Sequence, residues 1–275
     1  MSQTRLWEAT LPPIARPKPG TSRKNDIAIL GCGPAGLLAA HAVRLAGGEP
    51  LVYSIKEKSE IPGSLHLRRA VPELTPSYAD NLVNVVRMGT PEGYARKVYG
   101  DSSHATGWEN YSQSYPSWNA IWAYDQLWKR YERNIHHLLI EPGMIEDFLK
   151  LFRVVINTLP RRFLCADDEH TFKSVPYWIK SLALPDGEAG REVIIYNGRP
   201  EDVWYRYSIL GDRCSVESTY GFEGDGVIEG VKAIGNTCTC WRGLVHAGRW
   251  AEWRHGVLLN DAFDVAYNVS REVLG

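Results

Sequence analysis

The sequence predicts an α/β chain: a bipartite, Rossmann-like nucleotide-binding domain with a small antiparallel β plus helix domain for substrate. Three observations carry this. Asp26–Tyr53 reads as strand, glycine turn, helix and second strand. Val154–Pro160 is another short apolar strand ending in a turn. Residues 193–220 alternate apolar and polar side chains around an Asn197-Gly198 turn signal, as an antiparallel sheet does.

The first stretch is the most informative. Ile27-Ala-Ile-Leu30 feeds Gly31-Cys32-Gly33-Pro34-Ala35-Gly36, and an apolar helix pattern follows to about Leu45. In such a βαβ unit the first glycine permits a tight turn, the second admits a pyrophosphate without a Cβ in the way, and the third lets helix and strand pack closely. The helix N-terminus then presents free N–H groups to phosphate. Gly47-Gly48 stops the helix, and Leu51-Val-Tyr53 forms the second strand. That strand ends at Ser54, where a cofactor with a free ribose 2′-OH expects Asp or Glu. Two readings stay open: Lys56 or Lys58 meets the 2′-phosphate of NADPH, or Ser54 bonds the ribose of FAD.

Farther along, Gly63 and Ser64 supply a turn before His66, and Arg68-Arg69 follow. Residues 81–98 read as short strands and 104–119 as irregular. From Ile121 a helix carries Tyr124, Leu127, Trp128, Tyr131 and Ile135 at helical spacing, with a strand expected at His137–Ile140 and a helix near Met144–Leu151. Trp204-Tyr205-Arg206-Tyr207 lies in the antiparallel region; strict alternation puts Trp204 and Arg206 on one face and Tyr205 on the other. The chain closes with Leu244–Ala247, Gly248-Arg249-Trp250, and a helix expected to begin at Gly256-Val257.

Composition bounds the function. The 275 residues carry a formal net charge of −1, which gives no general drive toward nucleic acid or anionic membrane. Residues 1–24 read as an extended Pro-rich arm, and only its basic part, Arg16–Lys24, favours DNA. No run reaches the ~18 apolar residues of a membrane span, and Met1–Thr10 lacks a secretion signal, so a cytoplasmic setting is expected. The five cysteines are odd in number and scattered, which argues against a disulfide framework. Cys238-Thr-Cys240 reads as buried thiols rather than a metal pair, because a closed zinc site needs four ligands and no second cysteine pair is present. No metal site is therefore expected. The sequence holds one G-x-G-x-x-G, no P-loop and no G-x-S-x-G, which argues against a reductase with separate FAD and NADPH domains.

Three segments together resemble one flavoprotein layout. Gly31–Gly36 resembles the FAD-binding turn of the glutathione-reductase-like group. Val154–Pro160 resembles the returning strand of amine oxidases and UDP-galactopyranose mutases, and Gly248-Arg249-Trp250 with Gly256 resembles their C-terminal flavin motif. The chain looks most like compact flavoproteins of actinobacteria and their phages. The resemblance implies FAD as cofactor, bound by Gly31, Gly33, Pro34, Ala35, Gly36, Ser54, Lys56, Gly63, Ser64, Gly248, Arg249, Trp250, Gly256 and Val257. It implies oxidation of an amine or similar C–H donor, or non-redox flavin chemistry on a nucleotide-linked or modified-DNA substrate. His66, Trp204 and Arg206 are the substrate candidates, an aromatic wall with one arginine suiting a phosphate, carboxylate or nucleotide. Residues 25–65, 137–165 and 223–275 would form the FAD domain, and residues 66–136 and 166–222 the substrate domain. A NADPH-binding or catalytically inactive nucleotide-binding protein is the remaining alternative.

Overall fold

The computed structural model describes residues 26–275, apart from 56, 59, 60, 62, 64, 78–80, 104, 106–111 and 189. In chain order the elements are β1 (Ile27–Leu30), α1 (Pro34–Leu45), β2 (Leu51–Ser54), β3 (His66–Leu67), β4 (Asn81–Gly89), α2 (Pro91–Tyr99), β5 (Ser112–Asn119), α3 (Ala120–Tyr131), β6 (Ile135–His137), α4 (Ile145–Leu151), β7 (Val154–Asn157), α5 (Arg161–Leu164), β8 (Phe172–Leu182), β9 (Val193–Gly198), β10 (Trp204–Leu210), β11 (Arg213–Ser218), β12 (Val227–Asn236), β13 (Leu244–His246), α6 (Arg249–Glu252) and α7 (Leu259–Leu274). The α/β class is as expected, in two sheets.

The first sheet is parallel, in the order β13-β7-β1-β2-β6. Its strands are short apolar runs because both faces are covered. One face packs Ile27, Ile29, Val52 and Ile156 against α1, α3 and α7, through Leu37, Val43, Leu127 and Phe263. The other packs Ala28, Leu30, Tyr53 and Val155 on Ile145 and Phe148 of α4. The second sheet has eight strands, β12-β8-β11-β10-β9-β4-β5-β3, antiparallel except where β4 runs alongside β9. The sequence predicts β9, β10 and β11 among these, and strand in the region of β4.

Four local expectations are corrected. Residues 81–98 split into β4 and α2: Thr90 accepts a hydrogen bond from the Gly93 N–H at 3.0 Å and Pro91 sits at the first helical position, a helix start that the apolar residues on either side obscured. Residues 112–119 are a strand, and 104 and 106–111 lie outside the described residues. The strand expected at His137–Ile140 is Ile135–His137, because α3 ends at Tyr131 and frees Ile135 to pair with Val52. The last helix starts at Leu259; Gly256, at φ 83°, and Val257 belong to the turn before it.

The glycine turn behaves as its spacing predicts. Gly31 has φ 102°, a conformation open to glycine. A Cβ on Gly36 would lie 2.0 Å from the Gly31 carbonyl oxygen. A side chain there must push α1 off the sheet. Gly36→Val is expected to lower stability by about 3 kcal/mol, read as a drop in urea midpoint; a midpoint unchanged from wild type would show that α1 does not pack as described.

Candidate functional site

The C-terminal ends of β1, β2 and β7 meet at the glycine turn. The Gly31 N–H bonds the Tyr53 carbonyl at 2.8 Å. Thr158, just past β7, closes β1 through its hydroxyl, which donates to the Leu30 carbonyl at 2.7 Å. Gly33 is the N-cap of α1, Pro34 and Ala35 open its first turn, and a Cβ on Gly33 would meet nothing within 4 Å. The turn therefore has closed packing at Gly31 and Gly36 and free space at Gly33, the arrangement a pyrophosphate requires. Ser54 is buried at the end of β2 beside His137. Lys58 is tied to Asp125 at 2.8 Å, which leaves it poorly placed for a 2′-phosphate. Lys56 and Ser64 lie outside the described residues.

The C-terminal motif returns to this turn. Ala247 N–H bonds the Asn157 carbonyl at 2.9 Å and delivers Gly248, whose φ is 95°. A Cβ on Gly248 would stand 2.9 Å from the Ala35 Cβ, so only glycine lets the chain cross the first turn of α1. The next residue, Arg249, is half-buried, its Nε has no hydrogen-bond partner, and burial together with nearby Arg206 lowers its pKa. Trp250 packs edge-on against the buried Trp253 ring, a packing role.

Arg206 belongs to the same cluster. Its guanidinium pairs with Glu217, and its Nε too is buried without a partner. Burial opposes its charge, but the Glu217 carboxylate and surrounding tyrosines outweigh that and raise its pKa. Lys232, on β12, lies 4.5 Å from the Tyr205 ring centroid. Burial lowers its pKa to about 7, Arg206 and Arg249 adding to the effect against Glu217. Tyr94, Tyr99, Tyr177 and Tyr205 surround the three cations, and Tyr205 donates to Glu217 at 2.6 Å. One carboxylate thus faces three basic side chains, an excess of positive charge in a half-buried place.

Strict alternation does not hold at Trp204–Arg206. A register shift pairs Trp204 with Ser218 and Arg206 with Glu217. This β-bulge brings Tyr205 and Arg206 to the same carboxylate. The Trp204 carbonyl accepts from Lys97 at 3.0 Å, tying β10 to α2. Lys232 was missed in the sequence because β12 was not recognised, and Glu217, on β11, because only the bulge in β10 brings Tyr205 and Arg206 to it. Its alternation does put Lys232 on the face of Gly230, whose missing side chain leaves room for the Tyr177 ring.

The remaining candidates separate from the cluster or adjoin it. His66 bonds Tyr115 at 3.1 Å; burial, with Arg68 and Arg206, lowers its pKa to about 4, so it is neutral at pH 7. His246 is equally neutral, held at 3.2 Å by Asn157. Gly63, at φ 70°, lies against Ile179 of the larger sheet; a Cβ there would stand 3.3 Å from the Ile179 side chain. Arg69 is engaged by Asp264 and Asp261, and Arg68 lies over the Tyr115 ring. The start of α7 is occupied from within: the Asp261 carboxylate accepts the Leu258 N–H at 2.7 Å, so an acidic group holds the end expected to face a flavin.

No protein-family model matches the sequence, and no curated protein matches it. Solved structures match the fold. The flavin-dependent brominase Bmp2 aligns with TM-score 0.51 at 9% identity, over 91% of this chain and 78% of that one. CtdE, solved in complex with FAD, gives 0.54 at 12%, over 90% and 84%. The myxobacterial chondrochloren halogenase CndH gives 0.52 at 13%, over 91% and 74%. The chain therefore shares the α/β fold of these flavoproteins, a five-stranded parallel sheet joined to a second sheet of eight strands.

The Lys232 shift fixes a pH dependence. Its folded pKa, about 7, lies below the 10.5 of the free side chain. Between these values the unfolded chain holds a proton that the folded chain does not, so this group makes stability rise with pH above about 7 and adds no slope below it. Denaturation midpoints of ligand-free protein across pH 6–9 should rise more steeply for wild type than for Lys232→Met; parallel profiles would show that Lys232 titrates normally.

Proposed function

We propose that this chain is a FAD-dependent oxidoreductase that oxidises an amine or similar C–H donor on an anionic small or nucleotide-linked molecule. The observation that carries the reading is the surplus of Arg206, Arg249 and Lys232 over Glu217, one residue beyond the crossing of Gly248 over α1. The turn Gly31–Gly36 would hold the pyrophosphate, with Ser54 near the ribose. The orphaned Nε atoms of Arg206 and Arg249 fit electron-rich oxygens, whether of a flavin ring or of a bound anion. Bound FAD supplies the acceptor for a hydride equivalent, chemistry no side chain provides.

The chain's own groups do the rest. Arg249, adjoining the nucleotide turn, would stabilise negative charge on a reduced cofactor. Arg206, braced by Glu217, would orient the substrate's phosphate or carboxylate. Lys232, poised near neutrality, would take or return a proton beside Tyr205. The five-stranded sheet with α1, α4 and α7 would serve the cofactor and the eight-stranded sheet the substrate. On that division β12 belongs with the substrate side and α3, which packs on α1, with the cofactor side.

The visible spectrum of purified protein tests the cofactor. Bands near ~375 and ~450 nm, retained through gel filtration or restored by added FAD, are expected. Gly33→Val, which fills the free space without a clash in the fold, should abolish the bands and leave thermal unfolding cooperative. A colourless protein that takes up no FAD would overturn the proposal.

A further inference from the structure

Away from the nucleotide turn, three cysteines and a histidine converge. Cys165 Sγ lies 3.3 Å from His170 Nδ1 and 3.9 Å from Cys240 Sγ, and Cys240 Sγ lies 3.6 Å from His170 Nδ1. With Cys238 the four ligand atoms fall within 4.8 Å of one another. In a tetrahedral zinc site, Zn–S and Zn–N bond lengths put two thiolates about 3.8 Å apart and a thiolate and imidazole nitrogen about 3.6 Å apart. The three distances lie within about 0.3 Å of those edges. All five cysteines of the chain are free thiols. The expectation of no metal site rested on the missing second cysteine pair; the fold supplies Cys165 and His170 instead.

The surroundings are those of a built site. A turn at Asp167, whose carbonyl accepts the His170 N–H at 3.3 Å, folds His170 back on Cys165. The Asp167 carboxylate stands 3.6 Å from His170 Nε2, on the ring side away from the thiols, where a carboxylate orients a metal-bound imidazole. Thr171 and Thr237 clamp the two arms together through paired backbone and hydroxyl bonds. Arg161 donates to the Cys238 carbonyl at 2.8 Å. Cys238 and Cys240 are one residue apart, which lets both sulfurs reach the same side.

We propose that Cys165, His170, Cys238 and Cys240 bind one structural Zn²⁺, with three thiolates and one imidazole filling all four positions. Binding displaces up to three thiol protons, and no redox change occurs. The site pins the chain where it leaves the parallel sheet after α5 and where it returns before β13, on either side of the β8–β12 pair. It also reaches the cofactor side. Asn236 accepts the Cys238 N–H at 2.9 Å and donates to the Glu252 carbonyl at 2.9 Å, at the end of the short helix carrying Arg249. The metal would therefore hold that helix against the larger sheet.

The test uses full-length protein without a histidine tag. Elemental analysis should find about one zinc per chain, whether or not FAD is bound. Cys238→Ser/Cys240→Ser should reduce this at least tenfold, and Cys214→Ser should not. Because the double variant risks misfolding, chelator-stripped wild type is titrated with Co²⁺. Intense visible bands of tetrahedral thiolate-bound cobalt, saturating at one equivalent and bleached by Zn²⁺, are expected. Zinc at background level with no cobalt bands, iron in its place, metal retained by the double variant, or a Cys165–Cys240 disulfide in the isolated protein would each overturn the proposal.

Discussion

The proposed cofactor and substrate site depends on one close approach, Gly248 over the first turn of α1. The backbone passes where any side chain would strike Ala35, in a conformation only glycine adopts readily. The contact joins residues from opposite ends of the sequence. It sets Arg249 immediately beyond the glycine turn, and Arg249 in turn faces Arg206 of the larger sheet. Without that crossing the two sheets would share a boundary but no common charged site.

The cost of the arrangement is visible in the electrostatics. Three basic side chains crowd around one carboxylate, and the structure compensates unevenly: Glu217 secures Arg206, while Lys232 gives up its proton near neutrality and Arg249 is left with an unbonded Nε. Proteins do not collect like charge in a half-buried place without an opposing partner. On the proposed function, a bound anion or an electron-rich ring edge would be the partner that removes the imbalance, and the same imbalance would give it affinity.

Much of this was legible in the sequence, where the constraint was local. The tight turn at Gly31 and the close packing at Gly36 follow from their spacing, because the Gly36 position answers to the Gly31 carbonyl within the same turn. Arg206 and Arg249 stood out beside aromatic and glycine neighbours. What stayed hidden depends on pairing over distance. β8 and β12 hold each other across forty-odd intervening residues, and Pro176, Gly230 and Gly235 interrupt their patterns; Lys232 went unseen with them. The Trp204–Arg206 bulge broke an alternation that sequence alone treats as regular. Cys238 and Cys240 were weighed as a metal pair and set aside, because Cys165 and His170 join them only when that strand pair closes. Gly256-Val257 misled because a glycine before an apolar run resembles a helix start, whereas Asp261 sets the cap two residues later.

On the proposed function, the Gly248 crossing brings Arg249 to the redox centre of the bound cofactor. The direct measurement is the midpoint potential of bound FAD in wild type and Arg249→Ala. Removing a cation beside the charge that develops on reduction should lower the potential by about 30 mV or more, the two-electron equivalent of about 1.4 kcal/mol, with a smaller change in affinity for oxidised FAD. Identical potentials in the two proteins would contradict the account.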